Sequence, residues 1–171
     1  MKIVLLGYMG SGKSTISRLL AEKLNLEAMD LDTLIEAEAV QSIPDIFKEK
    51  GEIFFRKLEH QVLKNVLQSP ASFVLALGGG TPCYSGNMDL ILKVTSNVFY
   101  LKMGIPALAK RLSPEKEERP LISHLADEEL PEFIGKHLFE RQPFYMQAPH
   151  ILNIDNKMVE EIAGEIVQQL I

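Results

Sequence analysis

At 171 residues the chain has the size of one domain, large enough to bury a proper core and too small for two. A formal net charge of −5 argues against a general nucleic-acid binder while allowing a local basic pocket for an anionic ligand. The only cysteine, Cys83, excludes an intrachain disulfide and a cysteine-built zinc site and fits a reducing compartment. One Lys followed by four apolar residues at the N-terminus is too little for a secretory signal, and no run reaches the length of a membrane span. The expectation is a cytoplasmic protein with no membrane partner.

Residues 2–15 read KIVLLGYMGSGKST, a buried strand at 3–6 that breaks into G-x-x-x-x-G-K-[ST] with Gly7 and Gly12, followed by an amphipathic helix over 13–24. Glycines at this spacing turn the backbone so that its N–H groups face inward at a helix N-terminus, a ready cradle for phosphates. Gly10, Ser11, Gly12, Lys13, Ser14 and Thr15 are therefore expected on a nucleotide. Lys13 reaches the β and γ oxygens, and the Ser14 hydroxyl is offered to Mg²⁺.

A weaker strand near 27–29 leads into Asp30-Leu31-Asp32, two acids at the sheet edge where ligands of open α/β proteins collect. Alternation through Leu31 lets one carboxylate face the metal while the other faces a substrate hydroxyl, and an Asp here can orient that hydroxyl and accept its proton. The plainer alternative is a helix cap by Asp32 and a solvated Asp30. Helices follow at 32–40, 44–49 and 52–68, the second marked by Ser42 with Asp45 as its cap signal and Pro44 at its first position. In Gly51-Glu52-Ile53-Phe54-Phe55-Arg56, Arg56 and the later Glu59 are spaced i, i+3, so Glu59 can orient a guanidinium able to grip a carboxylate; a plain surface ion pair is the competing reading.

The strand at 73–77 ends in Gly78-Gly79-Gly80, three glycines whose expected use is close backbone approach to a ligand; a plain flexible turn is the competing reading. A helix at 86–93, a strand at 98–101 and a helix at 105–112 lead to residues 113–124, whose charges and prolines predict an exposed mobile loop containing Arg119. A loop arginine can close over a nucleotide and stabilise charge during phosphoryl transfer. The helix at 127–142 carries Arg141 near its end, a substrate cation or a partner of the helix dipole. A strand at 150–154 and a helix at 157–170 complete an alternation that predicts a P-loop three-layer α/β fold: a five-stranded parallel sheet flanked by helices, with a helical insert at about 31–60 and a lid at about 113–124.

In order and combination, these motifs resemble the shikimate kinases, a P-loop family allied to the nucleoside monophosphate kinases. The match runs through the phosphate loop, D-x-D at Asp30 and Asp32, G-E-x-x-F-R at Gly51–Arg56, the glycines 78–80, R-P-L at Arg119–Leu121 and R-x-x-x-Y at Arg141–Tyr145. The resemblance implies transfer of phosphate from ATP, with Mg²⁺, to the 3-hydroxyl of shikimate by a monomeric enzyme on the route to aromatic amino acids. It implies that Asp32 binds the substrate hydroxyls and Asp30 lies near the metal's water shell. Arg56, Arg141, Gly78, Gly79 and Gly80 line the substrate pocket, which Phe47 and Phe55 wall, and Arg119 reaches the ATP phosphates. Adenine contacts are expected from the loop after the last strand, at Asn156 or Lys157, and the absence of an N-K-x-D signature favours ATP over GTP. Two rivals share the phosphate loop: another small-molecule kinase, acting on gluconate or a nucleoside monophosphate, and a nucleotide-dependent switch with an effector surface at 113–124.

Overall fold

The computed structural model describes all residues from Met1 to Ile171. Five strands, β1 (Lys2–Leu6), β2 (Glu27–Asp30), β3 (Phe73–Ala76), β4 (Val98–Lys102) and β5 (His150–Asn153), form one parallel sheet in the order β2-β3-β1-β4-β5. The central strands β1, β3 and β4 are near-continuous apolar runs because helices cover both of their faces. The edge strands carry polar or exposed positions, Glu27 and Ala28 on β2 and Ile151 and Asn153 on β5. Register is fixed by pairs such as Val4 with Leu75 on one side and Leu5 with Phe99 on the other.

Seven helices flank the sheet: α1 (Lys13–Leu24), α2 (Leu31–Ala39), α3 (Ile43–Gln68), α4 (Asn87–Val94), α5 (Ile105–Leu112), α6 (Leu130–Tyr145) and α7 (Val159–Gln169). Helix α1 packs on β2 and β3 and against α7, burying Ile16, Leu20 and Ala21. Its buried positions recur at three to four residues, the spacing of one helical face. Together with the strands these faces make a continuous apolar cluster from Ile3 to Ile166. Removing one fully buried member, such as Leu5 or Phe99, would cost about 2–5 kcal/mol.

The helices expected at 44–49 and 52–68 are joined in α3 across a break at Gly51, whose φ of 83° and ψ of 172° are not helical. The positive φ is why a glycine stands there, and it turns the second half of α3, with Arg56 and Glu59, relative to the first. Ser42 caps α3 as expected, its hydroxyl accepting from Asp45 N at 3.3 Å. Residues 113–118 form a 3₁₀ turn, and Ile122, within the segment expected to be an exposed mobile loop rather than core, is completely buried. An apolar side chain in a charged, proline-rich run thus fastens the segment to the core.

The topology determines where a ligand can sit. From β1 the chain passes through α1 to β2, on the far side of β3, whereas from β3 it passes through α4 to β4, on the far side of β1. Connections leaving neighbouring strands in opposite directions open a crevice at their carboxyl ends. The phosphate loop follows β1, the triple glycine follows β3, and Asp30 ends β2.

Candidate active site

A cavity of about 520 Å³ opens in that crevice. It is lined by Gly10, Gly12, Lys13, Ser14 and Thr15 of the loop, Asp30 and Asp32, Gly78 and Gly79, and Arg111, Glu115 and Arg119 from α5 and the segment after it. Lys13 Nζ donates to Gly7 O at 2.7 Å and Tyr8 O at 3.0 Å. An ammonium has three hydrogens, so one remains free for a ligand acceptor. Burial, reinforced by Arg141 and Arg119 and opposed by Asp32 and Asp30, lowers the Lys13 pKa to about 8. Ser11 is buried beneath the loop, its hydroxyl 2.9 Å from where a Cβ on Gly7 would lie.

The two acids divide as alternation predicts. Leu31 is fully buried between them, and Asp30 turns to Ser14, whose hydroxyl donates to Oδ2 at 2.9 Å. Asp30, not Asp32, caps α2, its Oδ1 accepting from Thr33 N at 3.2 Å. The capping alternative therefore fell on the wrong acid, since the helix starts one residue earlier than its sequence pattern indicates. Asp32 points instead at the glycine run: a Cβ on Gly78 would lie 2.8 Å from its Oδ1. Burial first, then the Asp30 and Glu59 carboxylates, raise Asp32 to about 6 against the attraction of Lys13. Asp32 and Lys13 both shift towards neutrality although each attracts the other, because loss of water outweighs their pairing. The Ser14 hydroxyl and Asp30 carboxylate are hard oxygen donors of the kind Mg²⁺ takes one or two of, with phosphates and waters completing its octahedron.

Beyond Gly79 the backbone runs under two arginines. A Cβ on Gly79 would lie 2.9 Å from Arg141 Nη1, and one on Gly80 would lie 2.9 Å from Arg56 Nη2 and 3.4 Å from Arg141 Nη2. The triple glycine thus serves close packing of Asp32, Arg141 and Arg56 against one strand end. Arg56 Nη1 donates to Glu59 Oε1 at 2.9 Å, and Glu59, only 1% exposed, accepts at Oε2 from Thr81 Oγ1 at 2.8 Å. A partner this deeply buried makes the pair an orienting device rather than a surface ion pair. Arg141 lies one turn before the end of α6 and over the Tyr8 ring at 5.8 Å, so its role as a dipole partner does not describe it. Phe55 is buried and Phe47 packs on it with ring centroids 4.6 Å apart.

Asn156 and Lys157 are not brought to the cavity. They sit in the turn between β5 and α7, and Lys157 Nζ pairs with Glu165 at 2.7 Å. Arg56, Gly80, Arg141 and Ser11 also lie outside its lining, the first three just past Gly79. Sequence reasoning missed Arg111, which donates to Gly10 O at 3.3 Å, and Glu115, which accepts from Arg119 Nη2 at 3.0 Å. It also missed Tyr8, whose hydroxyl meets His137 Nδ1 at 3.0 Å. Burial and then Arg141 lower His137 to about 4, so it is neutral at physiological pH. Arg111 in the last turn of a helix and Glu115 in a charged run carry no signal that separates them from surface charges.

The family model described as shikimate kinase matches residues 9–171. The chain is 47% identical over 165 residues to the shikimate kinase of Flavobacterium psychrophilum, covering 96% of each chain. It is 46% identical to that of Flavobacterium johnsoniae, covering 99% of this chain and 98% of that one. Among solved structures, the shikimate kinase of Bacteroides thetaiotaomicron superposes with a TM-score of 0.90 at 34% identity, covering 98% of this chain and 97% of that one. The shikimate kinase of Acinetobacter baumannii in complex with shikimate superposes at 0.87 with 32% identity, covering 98% and 90%. A phosphate loop beside an acid and two converging arginines, on a chain matched almost end to end at these identities, makes this protein a member of the shikimate kinase family.

Proposed function

We infer that the chain is a shikimate kinase, transferring the γ-phosphoryl group of ATP to the 3-hydroxyl of shikimate and releasing ADP and shikimate 3-phosphate. The observation that carries this reading is the convergence of Arg56 and Arg141 over Gly80 with Asp32 two glycines away and the phosphate loop beside them. Two cations at one end and a carboxylate at the other suit an anionic polyhydroxy acceptor. Charge-assisted bonds of about 1.5–3 kcal/mol each would favour an acid over a neutral sugar.

In this reading Lys13 and Arg119 hold the phosphates of ATP, with the backbone of residues 10–15 beneath them. Arg119 leaves Glu115 to do so, exchanging one carboxylate for phosphate oxygens. Ser14 and Asp30 would hold Mg²⁺, and the ion would supply charge neutralisation on the transferred group. Asp32 orients the 3-hydroxyl and takes its proton as the oxygen bonds to phosphorus and the bond to the ADP oxygen breaks. Catalysis by these groups is positioning and electrostatics. Residues 31–60 act as the acceptor-binding insert and 113–124 as the lid of a single kinase domain, readings supported by Arg56 on the first and Arg119 on the second.

A monomer is the state the family resemblance implies, and the lone cysteine suits the cytoplasm. No helix is long and apolar enough to cross a membrane. The test is acceptor kinetics in Arg56→Ala and Arg141→Ala, with shikimate and its neutral methyl ester. Both variants should raise KM for shikimate, leave KM for ATP near the parent's, and lose the preference for acid over ester. An unchanged preference would remove the arginines from the acceptor site.

A further inference from the structure

Arg56 is held by one short turn in two ways. Along one edge its Nη1 donates to Glu59, which the Thr81 hydroxyl fixes from the other side. Three residues after Thr81, the Tyr84 ring lies beneath the guanidinium, with Arg56 Cζ over the ring at 3.8 Å from its centroid. The Phe55 ring is more distant, at 5.1 Å. The turn carrying Thr81 and Tyr84 is itself tied down: Asn87, fully buried, donates from Nδ2 to Thr81 O at 2.9 Å and from its backbone N to Tyr84 O at 2.9 Å. Asn87 Oδ1 in turn meets His60 Nδ1 at 2.7 Å, on the same helix as Arg56.

We propose that Tyr84 is a positioning residue for the acceptor site: its ring sets the plane of the Arg56 guanidinium, as Glu59 sets its edge. A carboxylate bonded through one Nη fixes a point but leaves the guanidinium free to swivel. Bidentate capture of a substrate carboxylate needs the plane as well. A ring against one face removes the swivel, and its π-face attracts the cation without using any N–H donor. The remaining donors stay available for the ligand. The proposal rests on the reading of Arg56 as a carboxylate ligand.

The test is steady-state kinetics of the full chain for shikimate and ATP in Tyr84→Phe, Tyr84→Leu, Arg56→Gln and the Tyr84→Leu/Arg56→Gln double variant. Tyr84 is 38% exposed, so both single changes are expected to fold. Tyr84→Phe keeps the ring and should stay within about 2-fold of the parent, whereas Tyr84→Leu should raise KM for shikimate about 3–10-fold with KM for ATP unchanged. In the Arg56→Gln background the leucine change should add nothing. A parental KM in Tyr84→Leu, or the same loss persisting without Arg56, would overturn the role of Tyr84 while leaving the function intact. A parent inactive on shikimate would instead overturn the reading of Arg56 and this proposal with it.

Discussion

Asp32 gives a prediction in which activity and stability move in opposite directions. Its pKa rises from 3.8 to about 6 because burial, then Asp30 and Glu59, penalise the carboxylate more than Lys13 rewards it. Each unit is worth about 1.4 kcal/mol, so the ionised form costs the fold about 1–3 kcal/mol after allowance for residual solvent. With the folded pKa above the unfolded one, the stability contributed by protonated Asp32 is fully present below pH 3.8 and is lost as pH rises through 6. Asp32→Asn removes the titration, so the variant should be more stable than the parent above pH 6, by roughly 3–10 °C in melting temperature. The advantage should shrink as pH falls from 6 towards 4. Activity should fall about 10²–10⁴-fold in the same variant, and kcat/KM of the parent should rise with pH through an ionisation near 6 before falling as Lys13 loses its proton near 8. Thermal melts at pH 7.5 and 4 beside initial rates decide it. A variant less stable than the parent at pH 7.5, or equally advantaged at both pH values, would refute the electrostatic argument.

Lys13→Ala removes the cation held at the glycine loop and should lower kcat about 10²–10³-fold in the ADP-release assay, with the fold retained by circular dichroism. Gly80→Ala would press a methyl group to 2.9 Å from Arg56 Nη2 and 3.4 Å from Arg141 Nη2; the guanidiniums must move, and KM for shikimate should rise well above any change in KM for ATP. Ile122→Ala empties a fully buried position and should cost about 2–5 kcal/mol in urea unfolding while speeding protease cleavage within 113–124. Chelation of Mg²⁺ should abolish turnover and leave shikimate binding by calorimetry in place, since Arg56, Arg141 and Asp32 do not depend on the ion.

How far the sequence carries this account depends on whether a residue's role is decided locally. The phosphate loop is legible because its geometry, strand to glycine turn to helix, lies within residues 3–24. The triple glycine is legible as a point of close approach because it ends a buried strand, but the groups that approach it, Asp32 and the two arginines, come from distant parts of the chain and were not legible as its neighbours. The pair at Asp30 and Asp32 was half legible: alternation separated their directions, but which acid caps α2 depended on a helix boundary one residue away. Arg111 and Tyr84 were illegible because their contacts are made across the fold, and Glu115 because its pairing with Arg119 is local but stands in a charged run that looks like surface. Arg111 reaches Gly10 from 101 residues away, and Tyr84 meets Arg56 only because Asn87 pins its turn. Ile122 was hidden by its charged neighbours, whose composition describes the surface of the segment and not its anchor.

The most direct measurement is ADP release from Mg-ATP with shikimate, run beside gluconate, AMP, UMP and a no-acceptor control, with the product identified by mass and the phosphorylated carbon by NMR. Turnover dependent on shikimate alone, giving shikimate 3-phosphate, is the expected result. Turnover with gluconate or a nucleotide and none with shikimate would contradict it, as would ATP binding without transfer to any acceptor.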